Sequence, residues 1–185
     1  TNGFDDNEFV EYANRLLNEN YTSPTQASSG LTANGYWNSY VTPLLSLDAG
    51  NPLSYPGSGT TWTDLVGGKV FNLINNPTYS SSNGGRIQFI PSSFQYANCS
   101  TSLPDLNTWS VGVWHYYTGQ NTGSSPCIVT EVYPGSTYKI NYIIGNGSDT
   151  NPDLQTGFFN SQWWLTANGY ALTANTWYFI VGTYD

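Results

Sequence analysis

The sequence predicts an all-β fold, a sandwich or jelly roll, preceded by one helix. After residue 36 the chain has no helical period; it consists of short apolar or alternating runs separated by clusters of Gly, Pro, Asn and Ser. Those runs are rich in the β-branched and aromatic residues that strands favour. The chain is 16% aromatic and only 9% charged, which is the reverse of a disordered composition. We therefore expect a folded β domain with a core.

Residues 5–20 carry the pattern of an amphipathic helix. Asp5 or Asp6 can cap its free backbone N–H groups. Apolar residues then recur at helical spacing on one face, namely Phe9, Tyr12, Ala13, Leu16 and Leu17. A single four-turn helix is not stable alone, so we expect it to dock on the domain that follows or on another subunit.

Residues 21–35 form a linker by composition, because Ser, Thr, Gly and Pro occur there without a period. We therefore predict two parts, a helix and linker over 1–35 for attachment or oligomerisation, and a β-sandwich over 36–185. The predicted strands are 41–47, 69–74, 86–90, 94–97, 109–117, 127–133, 138–144, 155–159, 162–166 and 177–184. Asn168-Gly169 is a two-residue hairpin signal.

The net charge of −8 excludes some classes of partner. Nucleic-acid binding requires basic side chains to replace phosphate counterions, and the chain has 4 Lys and Arg against 12 Asp and Glu. The same imbalance opposes attraction to an anionic membrane. No apolar run approaches the roughly 20 residues of a spanning helix. We expect neither a nucleic acid nor a membrane as partner.

The two cysteines, Cys99 and Cys127, are too few for a metal site and do not form a CxxC motif. They are either a disulfide pair or two buried thiols. His115 is the only histidine, so any Ser-His-Asp or Cys-His mechanism would require it as the base. Its position in a strand-like run favours a packed or rim histidine instead.

Four segments together resemble a known family. They are LSLDAGNPLSYPGSGTTWTDLV at 45–66, GGRIQF at 84–89, TWSVGVW at 108–114 and ANTWYFIVGTYD at 174–185. In this order they resemble the concanavalin A-like (LamG-type) jelly-roll domains of bacteriophage and other virion structural proteins. The resemblance covers 45–185 and implies a lectin-like jelly-roll sandwich.

Two departures from the family pattern bear on function. The family usually has an acidic FDGxNDY turn after its GGSIxF strand, whereas residues 90–96 read IPSSFQY and contain no acid. This weakens the transfer of a calcium site. The family also continues from GTYD into a YVNG strand, so we expect the sandwich over 36–185 to lack its C-terminal strands unless further chain or a neighbouring copy supplies them.

The acidic residues do not form a catalytic pair in the sequence. Glycoside hydrolysis requires two carboxyl groups across the scissile bond, which on one strand means spacing i, i+2 or i, i+4. Glu131 has no acidic neighbour within four residues. We predict no catalytic residue and no enzymatic activity. Asp149, Asn151 and Asp153 follow a DxNxD spacing that suits calcium, with an Asx-rich turn as the alternative.

Adjacent aromatic residues are the candidates for sugar binding, since sugars stack their apolar faces on rings and offer hydroxyls to amides. On a strand, one member of such a pair faces outward. The predicted glycan-binding residues are Trp163, Trp164, Tyr117, Asn160 and Gln162. The alternative is a half-buried aromatic residue at the rim of the sandwich.

Taken with the resemblance, these features predict a non-enzymatic virion structural, capsid-decoration or fibre protein. The resemblance implies a location on the virion surface or outside the cell. The helix would contact other virion proteins or copies of the chain, and the jelly roll would contact host-surface glycans. A secreted or cell-surface carbohydrate-binding module is the alternative hypothesis, and a glycan hydrolase is the third.

Overall fold

The computed structural model describes residues 43–104, 106, 108–119, 127–132, 139–146, 154–160, 163–165 and 171–184. In this part of the chain the secondary structure consists of eleven β-strands and two short 3-10 turns, with no α-helix. The all-β prediction is therefore confirmed. The predicted helix at 5–20, the linker at 21–35 and the boundary after residue 35 lie outside the described residues.

The chain forms two compact units, which divide between Leu103 and Pro104. Across the residues described in both units, no helix has the length and apolar character needed to cross a membrane. All strand pairing found in the two units is antiparallel.

The first unit is built from short strands. Its three-stranded sheet has the order β1–β2–β5, with β1 at Thr61–Thr63, β2 at Val70–Ile74 and β5 at Tyr96–Asn98. A separate pair joins β3 at Thr78–Ser80 to β4 at Arg86–Gln88. Successive side chains of a strand point to opposite sides, so the three-stranded sheet has two faces. One of these faces is covered and the other is open.

The turns of this unit use residues that tolerate the left-handed region. Asn75 and Asn76 between β2 and β3 have φ values of 59° and 53°, and Asn is the commonest non-Gly residue in that region. Gly50 and Gly85 make a close backbone approach. A Cβ on Gly50 would lie 1.7 Å from the carbonyl oxygen of Gly84, and one on Gly85 would lie 2.4 Å from Gly50 Cα. Only glycine fits at this crossing.

The second unit is built on long strands. Nine residues of β6, Trp109–Tyr117, pair in unbroken register with nine residues of β11, Thr176–Tyr184. A four-stranded sheet follows the order β10–β9–β8–β7, formed by β7 at Cys127–Val132, β8 at Lys139–Asn146, β9 at Leu154–Asn160 and β10 at Trp163–Leu165. Strand β11 also approaches β8 and β9.

One face of the β6–β11 pair belongs to the core of the second unit. Trp109, Tyr117 and Ile180 lie on it and are 8%, 5% and 4% exposed. Their positions follow the alternation of a strand, since Trp109 and Tyr117 are an even number of residues apart and Ile180 pairs with Val113 between them. The opposite face carries the even-numbered residues of β6.

The predicted run at 41–47 was wrong in its described part, because residues 43–47 form no strand. The backbone there bonds to a loop instead: Ser46 N donates to the Asp64 carboxylate, and Ser46 O accepts from Leu65 N. Strands β1 and β3 were not predicted, since each is three residues long and begins with Thr among turn residues. The other nine predicted runs correspond to observed strands, with small shifts at their ends.

Candidate functional site

Four aromatic side chains share one face of the β6–β11 pair. Trp114 and Tyr116 come from β6, and Trp177 and Phe179 come from β11. Tyr116 is the direct register partner of Trp177, and Trp114 is the direct partner of Phe179. Direct partners in an antiparallel pair lie on the same side of the sheet, so the four rings form one strip. We call it the aromatic ladder.

The rings of the ladder contact one another in sequence. The centroid distances are 5.3 Å from Tyr116 to Trp177, 6.5 Å from Trp177 to Trp114 and 5.3 Å from Trp114 to Phe179. All three pairs are tilted or edge-on, which is the favoured geometry, and each contributes about 0.5–1.5 kcal/mol beyond its buried area. Every ring is half-buried rather than enclosed. The ladder is therefore a fixed aromatic strip with part of its surface open to solvent.

His115 lies between Trp114 and Tyr116 on β6 and so belongs to the opposite face. Its ring is 6.4 Å from the buried ring of Tyr117. Burial lowers the pKa of His115, which keeps the imidazole neutral at neutral pH. Its Nε2 atom is buried without a hydrogen-bond partner. Its burial and its ring contact with Tyr117 are those of a packed histidine.

The carboxylate of Asp64 is used to hold the chain together. The residue is 2% exposed. Its Oδ1 accepts from Ser46 N at 2.7 Å and Val66 N at 3.1 Å, and its Oδ2 accepts from Gly67 N at 2.7 Å. Burial opposes ionisation, but these backbone hydrogen bonds outweigh it and lower the pKa of Asp64. The carboxylate thus stays charged and holds two stretches of backbone together, residue 46 and residues 66–67.

Asp48 and Ser54 hold the preceding loop in a similar way. Asp48 Oδ1 accepts from Gly50 N at 2.8 Å. Ser54, 1% exposed, accepts from Asp48 N at 3.1 Å and donates to Thr63 O at 2.6 Å. Side chains of the loop before β1 therefore satisfy part of the backbone of this segment, as residues without ladder partners require.

The predicted glycan-binding residues have different outcomes. Tyr117 is 5% exposed, so its ring is not accessible for stacking, and the accessible member of that pair is Tyr116. Trp163 and Trp164 lie on β10, at the register positions opposite Phe159 and Phe158. Asn160 is the last residue of β9 and pairs with Lys139. Gln162 lies outside the described residues.

The possible metal and disulfide sites remain predictions. Asp149, Asn151 and Asp153 lie outside the described residues, and the part of the chain that is described holds no group of three His, Cys, Asp or Glu suited to a metal. Cys99 and Cys127 are thiols in the structure and belong to different units. A disulfide between them therefore remains a prediction. Glu131 lies on β7.

Sequence reasoning missed Trp114, Trp177 and Phe179 as site residues. The signal was present as two aromatic pairs at spacing i, i+2, Trp114 with Tyr116 and Trp177 with Phe179. Spacing i, i+2 on a strand places both rings on one face. The two pairs are far apart in the sequence, with 61 positions between Tyr116 and Trp177. Only the pairing of β6 with β11 brings them together.

Comparison with known proteins identified no relative: no family model, no curated protein and no solved structure matches the chain.

Proposed function

We propose that the chain is a non-enzymatic structural, decoration or fibre protein of a virion, and that it contacts glycans on the host surface. The observation that carries the glycan contact is the aromatic ladder, with four half-buried rings held in fixed geometry on long strands. Rings of this kind stack on the apolar faces of sugars at little entropic cost, because the strands have already ordered them.

The resemblance of residues 45–66 and 174–185 to concanavalin A-like domains supports the virion assignment and the finer fold. We propose that 36–185 forms the jelly-roll sandwich and that a helix at 5–20 attaches it to sister copies or to other virion proteins. The protein would act at the virion surface or outside the cell. Such an analogy supports a fold more strongly than a function, so the aromatic ladder is the basis for the proposed activity.

The aromatic ladder equally favours a secreted or cell-surface carbohydrate-binding module. Immunogold labelling of purified virus particles with an antibody raised against the chain separates the two functions. Labelled particles support the virion assignment. Sugar binding without any labelling supports the secreted module.

A glycan array is the test of the ladder itself. We expect the chain to bind one class of neutral oligosaccharide, and Trp177→Leu to weaken that binding by about tenfold, the effect of losing 1–1.5 kcal/mol of stacking. Trp177→Phe keeps an aromatic ring at this position and should retain most of the binding. Circular dichroism must show that both variants keep the wild-type β spectrum. Equal binding by folded wild type and Trp177→Leu would contradict the role of the ladder.

A reducing-sugar assay tests the proposal of no turnover. We expect no reducing ends to be released from any oligosaccharide that the array identifies. Release that is abolished by Glu131→Gln would make the protein a hydrolase and overturn the proposal.

A further inference from the structure

The three-stranded sheet of the first unit has an open face that carries no charged residue and mixes polar with apolar side chains. The strand register places on it the side chains of Thr61, Thr63, Val70, Asn72, Ile74, Tyr96 and Asn98. The covered face carries Trp62, Phe71, Leu73 and Ala97, with Leu73 5% exposed. The apolar layer beneath supports the open face, which we call the amide face.

A row of hydrogen-bonding groups crosses the amide face. Thr61 pairs directly with Asn72, and Asn72 pairs directly with Asn98. All three residues are exposed. Their side chains make no hydrogen bond within the described structure. Two strand spacings separate the ends of the row, about 10 Å, so both carboxamides and the hydroxyl are available to one extended ligand.

The aromatic ring of Tyr96 lies at one end of this row. Tyr96 is 50% exposed and pairs with Ile74, one step along the face from the row of amides. Phe94, two residues earlier, is 77% exposed and has a φ of 51°. A bulky residue in the left-handed region costs energy and persists only where its surroundings fix it. The loop that carries Phe94 is fixed in this way.

Two side-chain amides hold the Phe94 loop against the turn after β2. Asn75 Nδ2 donates to Phe94 O at 2.9 Å and to Ser93 O at 3.2 Å. Gln95 Nε2 donates back to Asn75 O at 2.9 Å and Asn76 O at 3.1 Å, while its Oε1 accepts from Ile90 N at 2.8 Å. These bonds order the aromatic end of the face before any ligand arrives, which lowers the entropic cost of binding.

We infer that the amide face is a binding site for a neutral oligosaccharide, in addition to the aromatic ladder. Tyr96 stacks on the apolar face of a sugar ring, and the carboxamides of Asn72 and Asn98 exchange hydrogen bonds with its hydroxyls. The inference extends the glycan contact of the proposed function to a second surface. The absence of charge on this face, in a chain of net charge −8, favours neutral sugars over sialylated or sulfated ones. The row of amides suits hydroxyls better than the apolar centre of a protein interface.

The test uses the full chain on an array of neutral oligosaccharides of glucose, galactose, mannose and N-acetylglucosamine, with sialylated and sulfated counterparts beside them. We expect Tyr96→Ala and Asn72→Ala each to weaken binding of a neutral oligosaccharide by about tenfold, the cost of one good contact. Tyr96→Phe keeps the ring and should bind nearly as wild type does. Leu53→Ala, at a residue 82% exposed and outside this face, is the matched control and should have no effect.

The outcomes separate this site from the ladder. Loss with Tyr96→Ala and Asn72→Ala for a sugar that Trp177→Leu still binds establishes the amide face by itself. Wild-type binding by both variants, together with loss in Trp177→Leu, overturns this inference and leaves the proposed function intact. A preference for sialylated or sulfated sugars overturns it, as does capture of no sugar by the wild type, which also removes the glycan contact of the proposed function.

Discussion

The two units of the chain are stabilised in different ways. In the first unit, strands of three to five residues are joined by loops whose backbone groups bond to buried polar side chains, above all Asp64 and Ser54. In the second, nine-residue strands pair without interruption and stack their aromatic residues. A chain with only 9% charged residues thus uses hydrogen bonds from side chain to backbone where strands are short, and cross-strand packing where they are long.

This difference predicts different sensitivities. In the first unit, loss of one acceptor leaves several buried N–H groups unpaired, so single polar substitutions should be severe. In the second unit, many pairs share the stabilisation, so single substitutions should be milder and should act through packing or through the burial of His115.

Asp64→Ala should have the largest effect. It removes the acceptor of three backbone N–H groups, and each hydrogen bond to a charged group contributes about 1.5–3 kcal/mol. Denaturant unfolding measures the loss, and hydrogen exchange should show it over residues 44–69. Asp48→Ala is the control, since exposed Asp48 accepts only from Gly50 N through its side chain. Equal losses in the two variants would contradict the role given to Asp64.

The stability of the protein at acid pH should depend on the same carboxylate. The pKa of Asp64 is lowered from its ordinary value of 3.8, so its contribution to stability is present above pH 3.8. That contribution is lost as the pH falls towards the folded-state pKa, because the unfolded state then binds more protons. Denaturant midpoints measured from pH 5 to pH 2 should fall less steeply in Asp64→Asn than in wild type. Parallel curves would refute this origin of the acid sensitivity.

Gly85→Ala should have the next largest effect. Its Cβ would lie 2.4 Å from Gly50 Cα, and overpacking of this kind costs about 1–3 kcal/mol in addition to the strain of a φ of +96°. Gly59→Ala is the matched control, since Gly59 has a φ of +104° but open space around its Cβ position. Thermal melts should therefore place Gly85→Ala well below Gly59→Ala. Similar melting temperatures would mean that the close approach to Gly50 is not rigid.

His115 should give a smaller effect that depends on pH. Because burial lowers its pKa from 6.5, the unfolded state binds a proton more readily, and stability should decline as the pH falls below about 6.5. His115→Phe should remove this decline between pH 6.5 and pH 5 while leaving the ladder in place. Stability curves of wild type and variant that stay parallel over this range would contradict the burial of His115.

Gln95→Ala should have the smallest effect of the set. It leaves Ile90 N without its side-chain acceptor and releases the turn at Asn75, which costs about 1 kcal/mol. Hydrogen exchange should rise at residues 90–95 alone, with the protection of β6 and β11 unchanged. A global rise in exchange would show that the loop supports more of the fold than its hydrogen bonds suggest.

The sequence predicted the long strands of the second unit well because their patterns are local. The run 109–117 matches β6 at both ends, and 177–184 matches β11 to within one residue. It predicted the first unit less well, because Thr61–Thr63 becomes a strand only through pairing with β2. Residues 43–47 likewise remain a loop because Asp64, 18 residues from Ser46, takes up part of their backbone hydrogen bonding.

The candidate sites were also hard to predict, because they depend on contacts between distant segments of the chain. Exposure separates Tyr116 from Tyr117, and a local pattern of adjacent aromatic residues does not contain that information. The amide face joins Asn72 to Asn98 across two strands that are 26 residues apart, which only the register reveals. The absence of acid at 90–96 was visible in the sequence, whereas the amides of Asn75 and Gln95 that brace this loop were not.

Locating a bound oligosaccharide tests most sharply whether the aromatic ladder binds a sugar without cleaving it. The sugar that the array selects should be titrated into isotope-labelled full-length protein and followed by NMR, with ring and indole signals assigned by substitution. We expect saturable shifts at Tyr116 and Trp177, with no new sugar species appearing over time. Shifts confined to residues away from both the aromatic ladder and the amide face, or conversion of the sugar to shorter products, would contradict it.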